Sequence, residues 1–278
     1  METPRKLVVR DHFTATIPEE YVVDDSTELG GSIAVLKAAR CSEGPVVLKV
    51  PLPVAPSRSI QAIRHEARIL SAVQHPNIVS VVDFVEEEHI LVTERLGDNL
   101  EYFLTKNDQP SLVRAFEMMR DILKGLTALH AARIAHCDLV ARNVVFKGQK
   151  LVLIDFDVAT EFGNPCPITA AEQRPPEYVE GMSVEPALDI FNLGLLMCRV
   201  FWKSLPPSPY KELIDMFLNQ DPNDRPSAAD ALEGAMLALD RLKKKRGVDQ
   251  AYDCGDPTSN EEIAAGPTQP NNKCSRRA

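Results

Sequence analysis

Residues 135–146 read AHCDLVARNVVF, and residues 151–159 follow with LVLIDFDVA. Both are apolar runs broken by groups that apolar runs avoid: Asp138, Arg142 and Asn143 in the first, Asp155 and Asp157 in the second. A carboxylate set against apolar β-type neighbours is costly unless it is paired or ligated. Between the runs, KGQK at 147–150 reads as a turn, so NVVF and LVLIDF are expected to pair as a hairpin. That hairpin would bring the two interruptions together as halves of one reaction site.

Outward from this point the chain divides by pattern. From about 20 to 95 strand signals dominate: SIAVLKAAR and PVVLKVPL are separated by the turn CSEG, and SVVDFVEEEHILVTERL reads as a second hairpin. Between them, SRSIQAIRHEARILSAVQ sets Ile60, Ile63, Ala67 and Leu70 at helical spacing, with Ser57 or Ser59 as the expected cap. From 111 to 245 the periodicity is helical, in SLVRAFEMMRDILKGLTALHAARI, ALDIFNLGLLMCRVFW, PYKELIDMFLN and SAADALEGAMLALDRLKKK. The expected architecture is α+β and bilobal. An N-terminal extension (1–20) precedes a small β-rich lobe with one helix (21–94), a larger helical lobe (95–245) and a polar, Gly/Pro-rich tail (246–278) expected to lack order. Clefts between lobes are favoured ligand sites.

Bulk composition narrows the function classes. The 278 residues carry a formal net charge of −9, with 44% hydrophobic and 26% charged residues. That balance argues against a general nucleic-acid or anionic-membrane binder, because both need a positive field. The six cysteines are scattered, with no CxxC pair, which suits a reducing compartment. METPRKLVVRDHF lacks the apolar core of a signal peptide, and IFNLGLLMCRVFW is too short to span a bilayer. An intracellular, cytoplasmic protein without a membrane span is expected. The basic run RLKKKR (241–246) reads as a solvated helix end rather than a targeting patch.

From about residue 25 to 240 the chain resembles the eukaryotic-type protein kinase family. HCDLVARN is similar to that family's H-R-D-L-x-x-x-N loop, DFD to its D-F-G and VVLK to its V-A-I-K. PPEY, DIFNLG and DPNDRPS resemble its later A-P-E, Asp and Arg elements. Six matches in order and spacing outweigh any one alone. The resemblance implies an ATP-dependent protein kinase that uses Mg²⁺ and acts on a protein hydroxyl. Phosphoryl transfer needs charge neutralised and groups positioned, which explains the residue types. Lys49 would hold phosphates and Glu66, seventeen positions on, would pair with it. Asp138 would orient the acceptor hydroxyl, with Arg142 beside it, and Asn143 and Asp155 would give Mg²⁺ hard oxygen ligands. Gly30, Gly31 and Ser32 stand where the phosphate-covering loop belongs. Thr93 resembles the gatekeeper, and Glu94 to Leu96 the hinge that reads adenine. Leu70, Val81, His136 and Phe156 would stack through both lobes. Asp189 and the pair Glu177–Arg225 would be structural, the pair as a buried salt bridge.

The chain also departs from that pattern. LGGSIAVLKA retains Gly30 and Gly31, but Ala34 stands at the last glycine, and the loop is one residue short. Asp157 replaces the glycine of D-F-G, which implies a less mobile Asp155. Cys137 replaces the arginine that pairs with a phosphorylated activation loop, which implies activity independent of that phosphate. Val140 stands where Ser/Thr kinases carry Lys, whereas Arg142 and Thr93 lean towards the Tyr-specific form; Ser/Thr remains the base-rate expectation. Only thirty-six positions separate Asp189 from Arg225, a shorter stretch than that family usually has, so the helix that docks protein substrates is expected to be reduced or missing. These departures leave a second reading, a pseudokinase that keeps the fold and acts as an ATP-binding or scaffolding module. A small-molecule kinase of related fold is disfavoured by PPEY, DIFNLG and DPNDRP. Substrate and oligomeric state are not written in the sequence.

Overall fold

In a computed structural model the chain forms a five-stranded sheet with one helix, followed by a helical body. The structure describes residues 5–8, 14–30, 33–40, 44–52, 56–107, 109–167, 170–203 and 205–253. The strands are β1 (Arg5–Val8), β2 (Thr14–Ile17), β3 (Tyr21–Gly30), β4 (Ile33–Arg40), β5 (Gly44–Pro51), β6 (Val81–Val85) and β7 (Ile90–Glu94). The later strands are β8 (Ile134–Ala135), β9 (Val144–Lys147), β10 (Lys150–Leu153) and β11 (Thr160–Glu161). The helices are α1 (Pro56–Ala72), α2 (Leu100–Lys106), α3 (Leu112–Ala131), α4 (Ala187–Val200), α5 (Tyr210–Phe217) and α6 (Ala228–Asp253).

The main sheet runs β3-β4-β5-β7-β6, antiparallel throughout. Its two faces follow from period-two alternation. Val46, Leu48 and Val50 turn to one side with Leu36, Ala38, Ile90 and Val92, forming a small core that also takes Ile17 and Tyr21. Val47 and Lys49 therefore face the other side. There α1 buries Ile63, Glu66, Ile69 and Leu70, a helical stripe in which one member is a carboxylate. The larger core joins α1 and Leu91 to α3, α4, α6 and the β9–β10 hairpin. In α4, Asn192 is buried, and neither of its side-chain polar atoms is paired among the described residues.

One local expectation is corrected. Neither Ser57 nor Ser59 caps α1: both lie inside the helix, which begins at Pro56, a residue whose fixed φ suits a first turn. Residues 1–20 include a hairpin, β1 with β2, and Ile17 packs into the small core. Helix α6 continues to Asp253, into the stretch 246–278 expected to lack order. Residues 254–278 lie outside the described residues, as do Gly31, Ser32 and Thr169. Among the described residues no helix is long and apolar enough to cross a membrane.

One close approach fixes how α3 meets the hairpin. A Cβ on Gly125 would stand 2.9 Å from the Asn77 carbonyl oxygen and 2.9 Å from Leu153 Cδ1. Gly125→Ala would gain about 1 kcal/mol of helix propensity, but overpacking against backbone costs about 1–3 kcal/mol. We expect a net loss of stability on urea unfolding; a variant more stable than wild type would contradict this packing.

Candidate active site

The β9–β10 hairpin does what its sequence requires. Val144 pairs with Leu153, so Asn143, just before one strand, lies beside Ile154, just after the other; the Ile154 amide donates to the Asn143 carbonyl at 3.0 Å. The loop ahead of the hairpin is held by Asp189 on α4. Asp189 accepts from the backbone amides of His136 (2.9 Å) and Cys137 (3.0 Å) and bonds His130 Nε2 at 2.8 Å. Cys137 is buried with φ +63°, a left-handed state that a non-glycine residue holds only when its surroundings fix it. Burial also pushes the Cys137 thiol well up, which makes it an inert core group and not a nucleophile.

Asp138 follows, and its carboxylate is heavily engaged. Oδ2 accepts from Asn143 Nδ2 at 2.7 Å and Arg142 Nη2 at 3.0 Å. Oδ1 accepts from Gln173 Nε2 at 2.6 Å and Arg142 Nη2 at 3.3 Å. Asn143 Nδ2 also donates to the Asp138 carbonyl at 2.9 Å. With both amide hydrogens used, Asn143 keeps its side-chain carbonyl oxygen for another partner.

The opposite wall comes from the sheet and α1. Lys49 Nζ lies 2.7 Å from Glu66 Oε2, 2.8 Å from Glu66 Oε1 and 2.6 Å from Asp155 Oδ1. Glu66 also receives the Phe156 amide at 3.1 Å, so one buried carboxylate joins β5, α1 and the segment after β10. Burial would lower the Lys49 pKa, but the Glu66 and Asp155 carboxylates outweigh it and hold the amine above its ordinary value. Burial pushes the Asp155 carboxyl upward, and Lys49 overcomes this, so it stays ionised below its usual range. Asp155 sits at φ +66°, a left-handed state, whereas Asp157 has no positive φ. Burial and the neighbouring Asp155 charge push the Asp157 carboxyl up to about 6.

These walls enclose a cavity of about 360 Å³ lined by Lys49, Asp138, Arg142, Asp155, Asp157 and Gln173, among others. Glu66 stands behind Lys49, and Asn143 behind Asp138. Thr93 is buried on β7, and Glu94 and Leu96 follow it; none of the three lines this cavity. Around them the amides of Arg95 and Gly97 bond to Pro45 and Phe146, while the Leu96 amide has no partner among the described residues. The expected stack forms in part by ring contact, His136 against Phe156 at 4.8 Å, and Leu70 and Phe156 share the larger core with Val81 against it. The salt bridge is as expected: Arg225 donates to both Glu177 oxygens at 2.7 Å, its side chain fully enclosed. Gln173 was not legible as a site residue. It belongs to no motif, and only the folding of 171–173 into a 3-10 turn carries it to Asp138.

The donor set fits a divalent cation with a nucleotide triphosphate. Asp155 and Asn143 offer hard oxygens, and the fixed Lys49 ammonium lies beside Asp155. Gly30 pairs across from Ile33 at the end of β3.

Comparison with known proteins agrees with this geometry. A family model described as "Protein kinase domain" matches residues 29–209. The chain belongs to the protein kinase family. It is 30% identical over 199 residues to a probable serine/threonine-protein kinase of Encephalitozoon cuniculi, covering 66% of this chain and 38% of that protein. It is 25% identical over 290 residues to a serine/threonine-protein kinase of Myxococcus xanthus, covering 85% and 52%. A dual specificity protein kinase of Dictyostelium discoideum is 29% identical over 234 residues, covering 78% and 31%. The matched parts are thus about a third to a half of these relatives' lengths.

The network around Asp189 makes a stability prediction. Asp189→Ala would strand the buried amides of His136 and Cys137 and the half-buried His130 ring, each orphaned buried group costing about 1–3 kcal/mol, and we expect a total loss of roughly 3–5 kcal/mol. Burial pushes the Asp189 carboxyl up, and the bonds from His130 and His136 bring it below its ordinary value. Its contribution is therefore present above the normal carboxylate pKa and lost as pH falls through the lower folded value. Urea unfolding at several pH values should show a gap to wild type that holds near neutrality and narrows only in acid; a gap widening in acid would refute it.

Proposed function

We propose that this protein is an ATP-dependent protein kinase that transfers the γ-phosphate of Mg-ATP to a protein hydroxyl. The observation that carries the reading is the convergence of Lys49, Glu66 and Asp155 on one wall with Asp138 and Asn143 on the facing one. Lys49, fixed by Glu66, binds phosphate oxygens; Asp138 orients the acceptor hydroxyl and takes its proton, with Arg142 holding the carboxylate. Asn143 and Asp155 hold Mg²⁺, which neutralises charge on the phosphates when bound. Thr93, Glu94 and Leu96 flank the adenine, and Gly30, Gly31 and Ser32 cover the phosphates. The Leu96 amide, without a partner among the described residues, supports the hinge assignment.

The named relatives are serine/threonine and dual specificity kinases, which supports Ser/Thr as the acceptor and keeps Tyr in play. The small lobe at 21–94, the large lobe at 95–245 and an intracellular, cytoplasmic setting belong to the same reading, with protein substrates and no nucleic acid. A pseudokinase reading, an ATP-binding or scaffolding module, is favoured by one observation: the pairing of Gly30 with Ile33, which leaves little chain to cover phosphates. Phosphoamino-acid analysis of a mixed protein substrate incubated with the protein and Mg-ATP tests the assignment. Phosphoserine or phosphothreonine is expected; phosphotyrosine alone would reverse the specificity, and no phosphoamino acid would favour the module.

A further inference from the structure

We propose that Gln173 gates the acceptor side of this site, its amide occupying the position on Asp138 that an incoming hydroxyl must take. The inference rests on the phosphotransfer reading above. It begins with a count of lone pairs. A carboxylate offers about four acceptor sites, and Asp138 already receives four contacts: Asn143 and Arg142 on Oδ2, Gln173 and Arg142 on Oδ1. An acceptor hydroxyl reaches this carboxylate only by displacing one donor.

The three donors are not equivalent. Asn143 is tied twice to Asp138 and once, through its backbone, to Ile154. Arg142 comes from the same short loop and makes the two longest contacts. Gln173 comes from thirty-five residues further on and lines the cavity beside Pro167 and Ala170. It makes the shortest bond of the four, and its side chain has no other hydrogen bond among the described residues. Its backbone is held by the 3-10 turn, in which the Gln173 amide donates to the Ala170 carbonyl at 3.2 Å, and four residues on Glu177 is paired with Arg225. Opening is therefore a rotation of one side chain, with no loop rearrangement.

Occupancy by Gln173 has two consequences. Acceptor binding includes the loss of a charge-assisted hydrogen bond, which raises the acceptor KM. Water is also kept from Asp138 while no acceptor is present, which suppresses hydrolysis. In either reaction the new oxygen–phosphorus bond forms as the bond to the β,γ-bridging oxygen breaks. ADP leaves with the electron pair, and the proton passes to Asp138. With water as acceptor the product is orthophosphate.

The test uses the full chain with Gln173→Met, similar in length but without a donor, and Gln173→Ala beside it. Transfer to dephosphorylated casein and ATP hydrolysis without casein are measured in Mg²⁺. The expected result is a fall in casein KM and a rise in hydrolysis, each about tenfold, which corresponds to about 1.4 kcal/mol, with kcat for casein unchanged. A fall in kcat at constant KM would make Gln173 a residue that positions Asp138 and would overturn the gate, as would no change in either constant. Should both variants fail to fold, the wild type decides. The Gln173 side-chain amide resonance should move on saturation with a casein-derived serine peptide and a non-hydrolysable ATP analogue; an unmoved resonance overturns the proposal. A wild type stabilised by ATP that neither labels casein nor hydrolyses ATP would refute phosphotransfer itself. That result differs from an active enzyme indifferent to residue 173.

Discussion

Asp138→Asn is expected to lose phosphotransfer by about 10²–10⁴-fold, the range for removing a positioned general base, while ATP still raises its melting temperature. Asp138 lies in the cavity, but the ammonium of Lys49 is held by Glu66 and Asp155, neither of which bonds to Asp138. Asparagine keeps the size and one acceptor oxygen for Asn143 or Gln173, so the loop before the hairpin remains held by Asp189. What disappears is the carboxylate that takes a proton. The prediction is read from kcat beside a melting curve with and without Mg-ATP. Turnover retained near wild type would remove Asp138 from the chemistry, and lost ATP stabilisation would mean that it binds nucleotide.

Asp155→Ala acts on the other half of the site. Its carboxylate lies 2.6 Å from Lys49 and is kept ionised by that contact against the effect of burial. Alanine removes a hard ligand and the second counter-charge of Lys49, but Glu66 still neutralises the amine, so the fold is expected to survive. It also removes the side chain at a left-handed backbone position where Asp is better tolerated than Ala. We expect the Mg²⁺-dependent part of ATP stabilisation to vanish, and transfer to fall on the order of a thousandfold. Isothermal titration of ATP with Mg²⁺ and with EDTA checks it. A variant whose affinity still depends on Mg²⁺ as wild type's does would place the metal elsewhere.

These two residues were legible because their neighbours made them anomalous. Asp138 and Asp155 interrupt apolar runs on either side of a tight turn, and antiparallel pairing brings together what flanks it. Lys49 and Glu66 were legible through motif spacing; neither residue alone differs from a surface Lys or an exposed helix Glu. Period-two burial in β5 and the helical stripe of α1 then account for their meeting. Gln173 escaped because its role depends on a three-residue turn and a contact thirty-five positions away, a separation no local pattern encodes. The β1–β2 hairpin and the start of α1 escaped for a different reason. Short strands carry little periodic signal, and the expected serine cap gave way to Pro56 at the first turn.

The most direct test of one joint site is transfer of labelled γ-phosphate from Mg-ATP, with wild type and Asp138→Asn run side by side on the same protein substrate and on the protein itself. Label in the wild type lanes alone is the predicted result. Equal label in both, or none in either while ATP still raises both melting temperatures, would contradict the claim that Asp138 and the Lys49–Glu66–Asp155 cluster act together in phosphotransfer.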